Sequence, residues 1–238
     1  MRINEFGQTV GDAVPGWTTR ALPSREPMVG RLVRLEALDA GKHASDLHAA
    51  YSADKDARHW TYLPYGPFES EAAYAGWLAD MQTREDPLFF AIVDPKMAKA
   101  VGVASYLRID PAMGSIEVGH LRFGPSLQRT AASTEAMYLM MRRAFDELGY
   151  RRCEWKCDAL NAPSVAAAKR LGFRFEGIFR QAIVIKGRNR DTAWFSITDG
   201  EWPAIRRALE SWLDPDNFDP AGRQGRRLEQ FMDAPRHD

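Results

Sequence analysis

The chain has 238 residues, with 32 Lys and Arg set against 32 Asp and Glu, so its formal net charge is zero. A hydrophobic fraction of 45% and this length suit one substantial domain with extensions, or two small ones. The charge balance excludes a general nucleic-acid binder, which needs a basic surface. No run approaches membrane-spanning length and the N-terminus has no apolar signal core, so a membrane protein is not expected. The two cysteines, Cys153 and Cys157, stand four residues apart in a strand, too far to bond easily, and no histidine lies at metal spacing. These features predict a soluble cytoplasmic protein with buried, reduced thiols and no metal site.

Residues 1–29 carry Pro15, Gly16, Pro23 and Pro27 and read as an irregular arm, which either packs through Trp17 and Leu22 or stays mobile. Residues 31–35 alternate as a strand does. Asp39 caps a helix carrying Leu47, Ala50 and Tyr51. The stretch 60–68 is aromatic and turn-rich. Two readings of it are open, a surface loop anchored by its own aromatics or a wall over a substrate pocket. Ser70 starts a helix through Ala73, Trp77, Leu78 and Met81, with Glu71 in its first turn. A strand meander follows over 88–93, 100–109 and 115–123. The next helix carries Ala136, Met137, Met140, Met141, Ala144, Phe145 and Leu148 at a period near 3.6 and stops at Gly149. Residues 152–157 form a strand. Asn161-Ala162-Pro163-Ser164 opens a helix that ends at Leu171-Gly172. Strands 173–180 and 192–197 pair, with Lys186, Arg188 and Arg190 in the turn between them. A last helix spans 201–212. From residue 214 the chain turns polar and reads as a tail, in which Arg223, Arg226 and Arg227 offer an element for a partner or a second subunit. This order predicts an α+β fold, a mixed sheet covered by helices.

One segment carries chemistry. Residues 128–136, Gln-Arg-Thr-Ala-Ala-Ser-Thr-Glu-Ala, follow a strand and open a helix. Unpaired N–H groups of a first helical turn point one way, the helix dipole adds partial positive charge, and small side chains let a diphosphate approach. Arg129 adds a charge-assisted contact. The competing reading is an ordinary turn with Ser133 or Thr134 as N-cap.

The segment 31–202 resembles the GNAT superfamily of acetyl-CoA-dependent N-acetyltransferases, closest to the Rim-type branch that acetylates ribosomal-protein N-termini. Three features carry the resemblance in order: Glu117-Val118-Gly119-His120, the loop 128–136, and Asn161-Ala162-Pro163-Ser164 followed by 171–177, Leu-Gly-Phe-Arg-Phe-Glu-Gly. The resemblance implies a mostly antiparallel mixed sheet with one splayed parallel strand pair and helices on both faces. It divides the chain into an arm (1–29), an acyl-CoA N-acyltransferase domain (30–213) and a polar tail (214–238). It implies acetyl-CoA as co-substrate, its pantetheine arm lying along Leu121 and Phe123. The diphosphate would lie on Gln128, Arg129, Thr130, Ala131, Ala132, Ser133 and Thr134. Asn161 would bond the cofactor arm and Ser164 would lie near the sulfur. Members of the group often pair, which leaves a homodimer open without fixing the oligomeric state.

The resemblance further implies direct attack of a neutral primary amine on the thioester. Ser164 would protonate the leaving thiolate, an N–H near Leu121 would hold the oxyanion, and Glu117 through a water, or His120, would take the amine's proton. Tyr62, Tyr65 and Phe68 are candidates to shape the acceptor pocket, and Glu69 or Asp191 to attract an ammonium. The basic group at 186–190 is either a solvated hairpin or a site for an anionic acceptor or the cofactor's phosphates. The acceptor itself, a protein N-terminus or a small amine-bearing molecule, is not encoded. The family's loop usually has glycine where Ala131 stands, and a methyl there restricts a positive-φ geometry. That departure motivates the alternative of a non-catalytic acyl-CoA-binding module.

Overall fold

The structure, a computed structural model, describes residues 2–54 and 56–232. The chain opens with a two-stranded hairpin, β1 (Arg2–Ile3) and β2 (Thr9–Val10), whose Ile3 and Phe6 are exposed. The arm grips the domain at Trp17, whose Nε1 donates to the Ala112 carbonyl at 2.8 Å beneath the guanidinium of Arg20. A Cβ at Gly114 would lie 2.3 Å from that ring, and Gly114 has φ +65°, so only glycine serves at this turn. Leu22, expected to pack, is 59% exposed. The second hold is polar instead, Arg25 donating to the carbonyls of Gln82 and Arg84.

Eight strands form the main sheet: β3 (Met28–Val29), β4 (Arg34–Ala37), β5 (Leu88–Asp94), β6 (Lys99–Asp110), β7 (Ser115–Phe123), β8 (Arg152–Asp158), β9 (Arg174–Ile185) and β10 (Arg188–Thr198). Their order is β3-β4-β5-β6-β7-β8-β10-β9, antiparallel throughout except at β7–β8. Helices cover both faces. On one, α1 (Ala40–Ser52) and α2 (Glu71–Gln82) bury Leu47, Tyr51, Tyr74 and Leu78 against Phe89, Ala91 and Val93. On the other, α3 (Ala131–Arg142), α4 (Ala162–Arg170) and α5 (Trp202–Leu213) meet Phe90, Ile92, Ile116 and Trp155. β5 therefore reads as an unbroken apolar run, because alternate side chains enter different cores. Asp39 and Ser70 cap α1 and α2 as expected, accepting from the N–H groups of Lys42 and Ala73.

Three segments differ from expectation. Residues 31–33 are not strand. Their N–H groups, at 3.0, 2.6 and 2.9 Å, converge on the carboxylate of Glu135 in α3, and amides spent there cannot join a ladder, so β4 begins at Arg34. The turn after β9 shrinks to Lys186 and Gly187, with φ +49° and +72°, the signs a two-residue hairpin turn requires. Arg188 and Arg190 therefore belong to β10. The segment 214–232 folds back on α5. Leu228 in it is fully buried, Phe218 meets Trp212 edge-on, and Trp212 Nε1 donates to Gln224 Oε1 at 2.9 Å. A short helix, α6 (Glu229–Met232), closes the described chain. Arg223 pairs with Asp219 and Arg226 stands over the Phe231 ring, so two of the three tail arginines serve the segment's own fold. Among the described residues no helix is long and apolar enough to cross a membrane.

Candidate active site

The parallel pair β7–β8 spans three residue pairs: Ser115–Arg152, Ile116–Cys153 and Glu117–Glu154. Beyond Glu117 each strand follows its other neighbour. β7 stays with β6 until Phe123 faces Gly102, and β8 stays with β10 until Asp158 faces Thr192. The facing backbone edges of 118–123 and 155–158 are thereby left without a strand partner, a wedge cut into the sheet. A bulge in β7 sits on the wedge. Between Gly119 and Arg122 the register against β6 slips, and His120 takes φ +52°.

The turn after β7 leads into α3. Thr130 is the N-cap, its hydroxyl accepting from Ser133 N at 3.2 Å, so neither Ser133 nor Thr134 caps the helix. The N–H groups of Arg129, Thr130, Ala131 and Ala132 donate to no protein group among the described residues. The left-handed residue is Arg129, φ +58°, whereas Ala131 is the first residue of α3. The methyl at Ala131 is therefore spared the strain that its place in the motif predicts. A row of unspent amides at the start of a twelve-residue helix, with small side chains at 130–133 and the Arg129 guanidinium beside them, suits a diphosphate. Two side chains expected at the loop are occupied elsewhere. Gln128 Nε2 donates to the Phe123 carbonyl at 2.8 Å, and the Thr134 hydroxyl accepts from Arg170 of α4 at 3.0 Å.

Across the wedge, Asn161 caps α4, its Oδ1 accepting from Ser164 N at 3.2 Å. The Ser164 hydroxyl accepts from Trp155 Nε1 at 3.0 Å, which leaves its own proton to donate. Burial pushes the Cys157 thiol pKa up, against the pull of the nearby Ser164 hydroxyl, and burial does the same to Cys153. Both thiols are free and buried.

Glu117 ends the paired part of β7. It is buried and accepts from Arg108 Nη1 at 2.7 Å, with Lys156 Nζ at 3.1 Å. Burial pushes the Glu117 carboxyl above its usual range against the pull of both cations. Lys156 also meets Glu154 at 2.6 Å and stands 3.7 Å over the Trp194 ring. Arg152 continues the chain of charge to Glu154 and Glu176, and with Ser196 it holds the Glu176 carboxyl near 2. Beside these groups lies a cleft of about 600 Å³, lined by Thr19, Arg108, Ser115, Glu154, Lys156 and Trp194. The sequence reading missed Arg108, Lys156 and Trp155. The alternation of Arg152, Glu154 and Lys156 with Cys153, Trp155 and Cys157 carried the signal, a charged face against an apolar one.

His120 lies against Tyr65 at 5.5 Å and Phe89 at 5.1 Å, with Nδ1 buried and unpartnered. Burial first, then the charges of Arg108 and Arg190, depress its pKa to about 4. The folded value lies below that of the unfolded chain, so the neutral ring stabilises the fold above about pH 6.5, and this contribution is lost as pH falls toward 4. Urea unfolding at pH 7 and pH 4 should show a loss for the parent larger than for His120→Gln by about 2 kcal/mol. Equal losses would contradict the burial assigned to this ring.

The loop 60–68 is anchored by its own aromatics. Trp60 packs edge-on against Tyr51 and Phe68, and Tyr65 lies 4.2 Å from Trp77. Lys186 Nζ donates to the Trp60 carbonyl at 2.8 Å, and the Tyr62 hydroxyl to the Leu160 carbonyl at 3.1 Å. The loop thus ties the β9–β10 hairpin and the turn before α4 to the α1–α2 face. Glu69 is exposed, and Asp191 is spent on a local irregularity, accepting from Gln181 N and Asn189 Nδ2.

The Acetyltransferase (GNAT) domain family matches residues 33–174, more than half of the chain. The chain belongs to the GNAT acetyltransferase family. A crystal structure of a GCN5-related N-acetyltransferase from Brucella melitensis is similar to this GNAT protein over 92% of the chain and 100% of its own, at 50% identity and a TM-score of 0.90. A probable GNAT-family acetyltransferase from Chromobacterium violaceum is similar over 83% of this chain and 98% of its own, at 44% identity and a TM-score of 0.77. The Microcin C7 self-immunity acetyltransferase MccE, solved with acetyl-CoA and AMP, shares the fold at 22% identity, a TM-score of 0.64, and coverage of 74% and 98%.

Proposed function

We propose that this GNAT protein moves an acetyl group from acetyl-CoA to a primary amine by direct attack, without an acyl-enzyme. The observation that carries the reading is the wedge, open from Val118 and Trp155 onward and bordered by the free amides of 129–132. Those amides bind the diphosphate, and the unpaired edges of β7 and β8 receive the amide-bearing arm that links it to the sulfur. Asn161 bonds that arm through Nδ2. A relative of the same fold was solved with acetyl-CoA, which supports this co-substrate.

The amine attacks the thioester carbon, and the carbonyl oxygen becomes an oxyanion. A backbone N–H at the β7 bulge, near Leu121, stabilises it. The carbon–sulfur bond then breaks and the Ser164 hydroxyl gives its proton to the departing thiolate, taking one back from solvent to restore the hydroxyl. The ammonium proton leaves to His120, neutral above about pH 4, or to water. Glu117, held between Arg108 and Lys156, supports that exit by fixing the two cations. The acceptor is a protein N-terminus, as in the Rim-type branch that the motifs resemble, or a small amine. The alternative of a non-catalytic module draws nothing from the loop, where Ala131 is helical.

The test is thiol release from acetyl-CoA with a panel of primary amines, beside calorimetry of coenzyme A binding. Micromolar binding and acetyl transfer to at least one amine class are expected. Binding without transfer to any amine would favour the non-catalytic module, and absence of binding would remove both readings.

A further inference from the structure

Buried polar side-chain atoms without a partner are few in folded proteins, and each calls for a cause. Four of them here are Arg190 Nε and Trp194 Nε1 of β10, His120 Nδ1 at the β7 bulge, and Tyr65 Oη of the loop stacked on His120. Tyr65 and His120 lie ring on ring at 5.5 Å. Arg190 lies close enough to His120, Glu117 and Cys157 for its charge to act on each of them. Trp194 lines the cleft beneath Lys156. Arg190 and Trp194 can only donate hydrogen bonds through these atoms, and the Tyr65 hydroxyl can donate as well.

Arg190 is the most telling of the four. It is half-buried, and among the described residues it has no ion-pair partner within 4.0 Å. The acidic group with the strongest pull on it is Asp158, whose Oδ1 already accepts from Leu160 N at 2.9 Å. Glu117 is shared by Arg108 and Lys156. A guanidinium kept partly from water without a bonded carboxylate is poised for an anion that arrives with a ligand. The coenzyme's diphosphate does not supply that anion once it is placed on the amides of 129–132. Arg190 lies instead near the end of β8, where Thr192 faces Asp158 and Ala193 faces Cys157, close enough for the Cys157 sulfur to act on it.

We propose that the acceptor is an amine carrying a carboxylate a few bonds from its nitrogen, and that Arg190 binds this carboxylate with Trp194 Nε1 as a further donor. The inference rests on the acetyltransferase reading for the placing of the thioester. It narrows the acceptor to amino-acid-like molecules and sets aside a protein N-terminus, where an amide stands in place of the carboxylate.

The experiment is calorimetry of the coenzyme A complex with the standard amino acids and with their amides, repeated on Arg190→Gln and Arg190→Lys. At least one amino acid should bind about 10- to 100-fold more tightly than its amide, the range for a charge-assisted pair. Arg190→Gln should abolish that difference and Arg190→Lys should restore part of it. Amides binding as well as the acids, or Arg190→Gln weakening acids and amides equally, would overturn the proposal. Because the readout is binding, a protein that binds acids selectively yet releases no thiol refutes the activity and keeps the carboxylate site. One that acetylates amides as readily as acids keeps the activity and refutes the site.

Discussion

Ser164→Ala should lower kcat about 100-fold, the lower end for loss of a positioned proton donor, while coenzyme A affinity stays within about twofold. The hydroxyl is held from two sides. Its backbone N–H is fixed by Asn161, and its oxygen accepts from Trp155 Nε1, so its proton has one direction left. The substitution also strands the indole N–H, which costs about 1 kcal/mol and a fall of about 2–4 °C in Tm. Ser164→Thr keeps a hydroxyl and should recover much of the rate. A kcat unchanged in Ser164→Ala, with the same fall in Tm, would show that the serine only holds Trp155 in place.

Glu135→Ala should cost about 3 kcal/mol of stability, read by urea unfolding, because three backbone N–H groups lose a charged acceptor at once. The carboxylate is 6% exposed, so water replaces it poorly. Gly30 is matched to it, since a Cβ there would stand 2.4 Å from Oε2. The same contact fixes the first turns of α3, so coenzyme A binding should weaken too. Glu135→Gln keeps one acceptor oxygen and should lose roughly half as much. A change below about 1 kcal/mol in Glu135→Ala would show that the amides find other acceptors.

Local chemistry made much of the fold legible. Asp39 and Ser70 announce their helices because capping needs only the next few residues, and β7 runs over the expected 115–123 because turn residues bound it. What failed to show was contact between distant segments. Nothing near residues 31–33 tells that a carboxylate a hundred positions later will take their amides. The buried Leu228 stands with Phe231 and Met232 at i, i+3 and i+4, a single helical turn too short to stand out from the polar stretch around it. The site divides in the same way. Asn161 and Ser164 stand in one short motif, but Arg108 and Lys156 meet Glu117 only through the register of three strands. Arg190 was visible as a charge, yet its place in β10 depended on a hairpin tighter than the composition suggested.

Among the described residues, the three shared pairs of β7 and β8 are the whole strand ladder between a five-strand half and a three-strand half of the sheet. Elsewhere the halves are held by side chains and by the covering layers: Lys156 meets Glu117 at 3.1 Å, Lys186 and Tyr62 bond across to the loop 60–68 and the turn before α4, and the Arg170–Thr134 bond ties α4 to α3. Any molecule that fills the gap and touches both margins becomes an internal crosslink. It welds the two halves into a single cooperative unit, so occupancy of the gap and mechanical cohesion of the protein rise together.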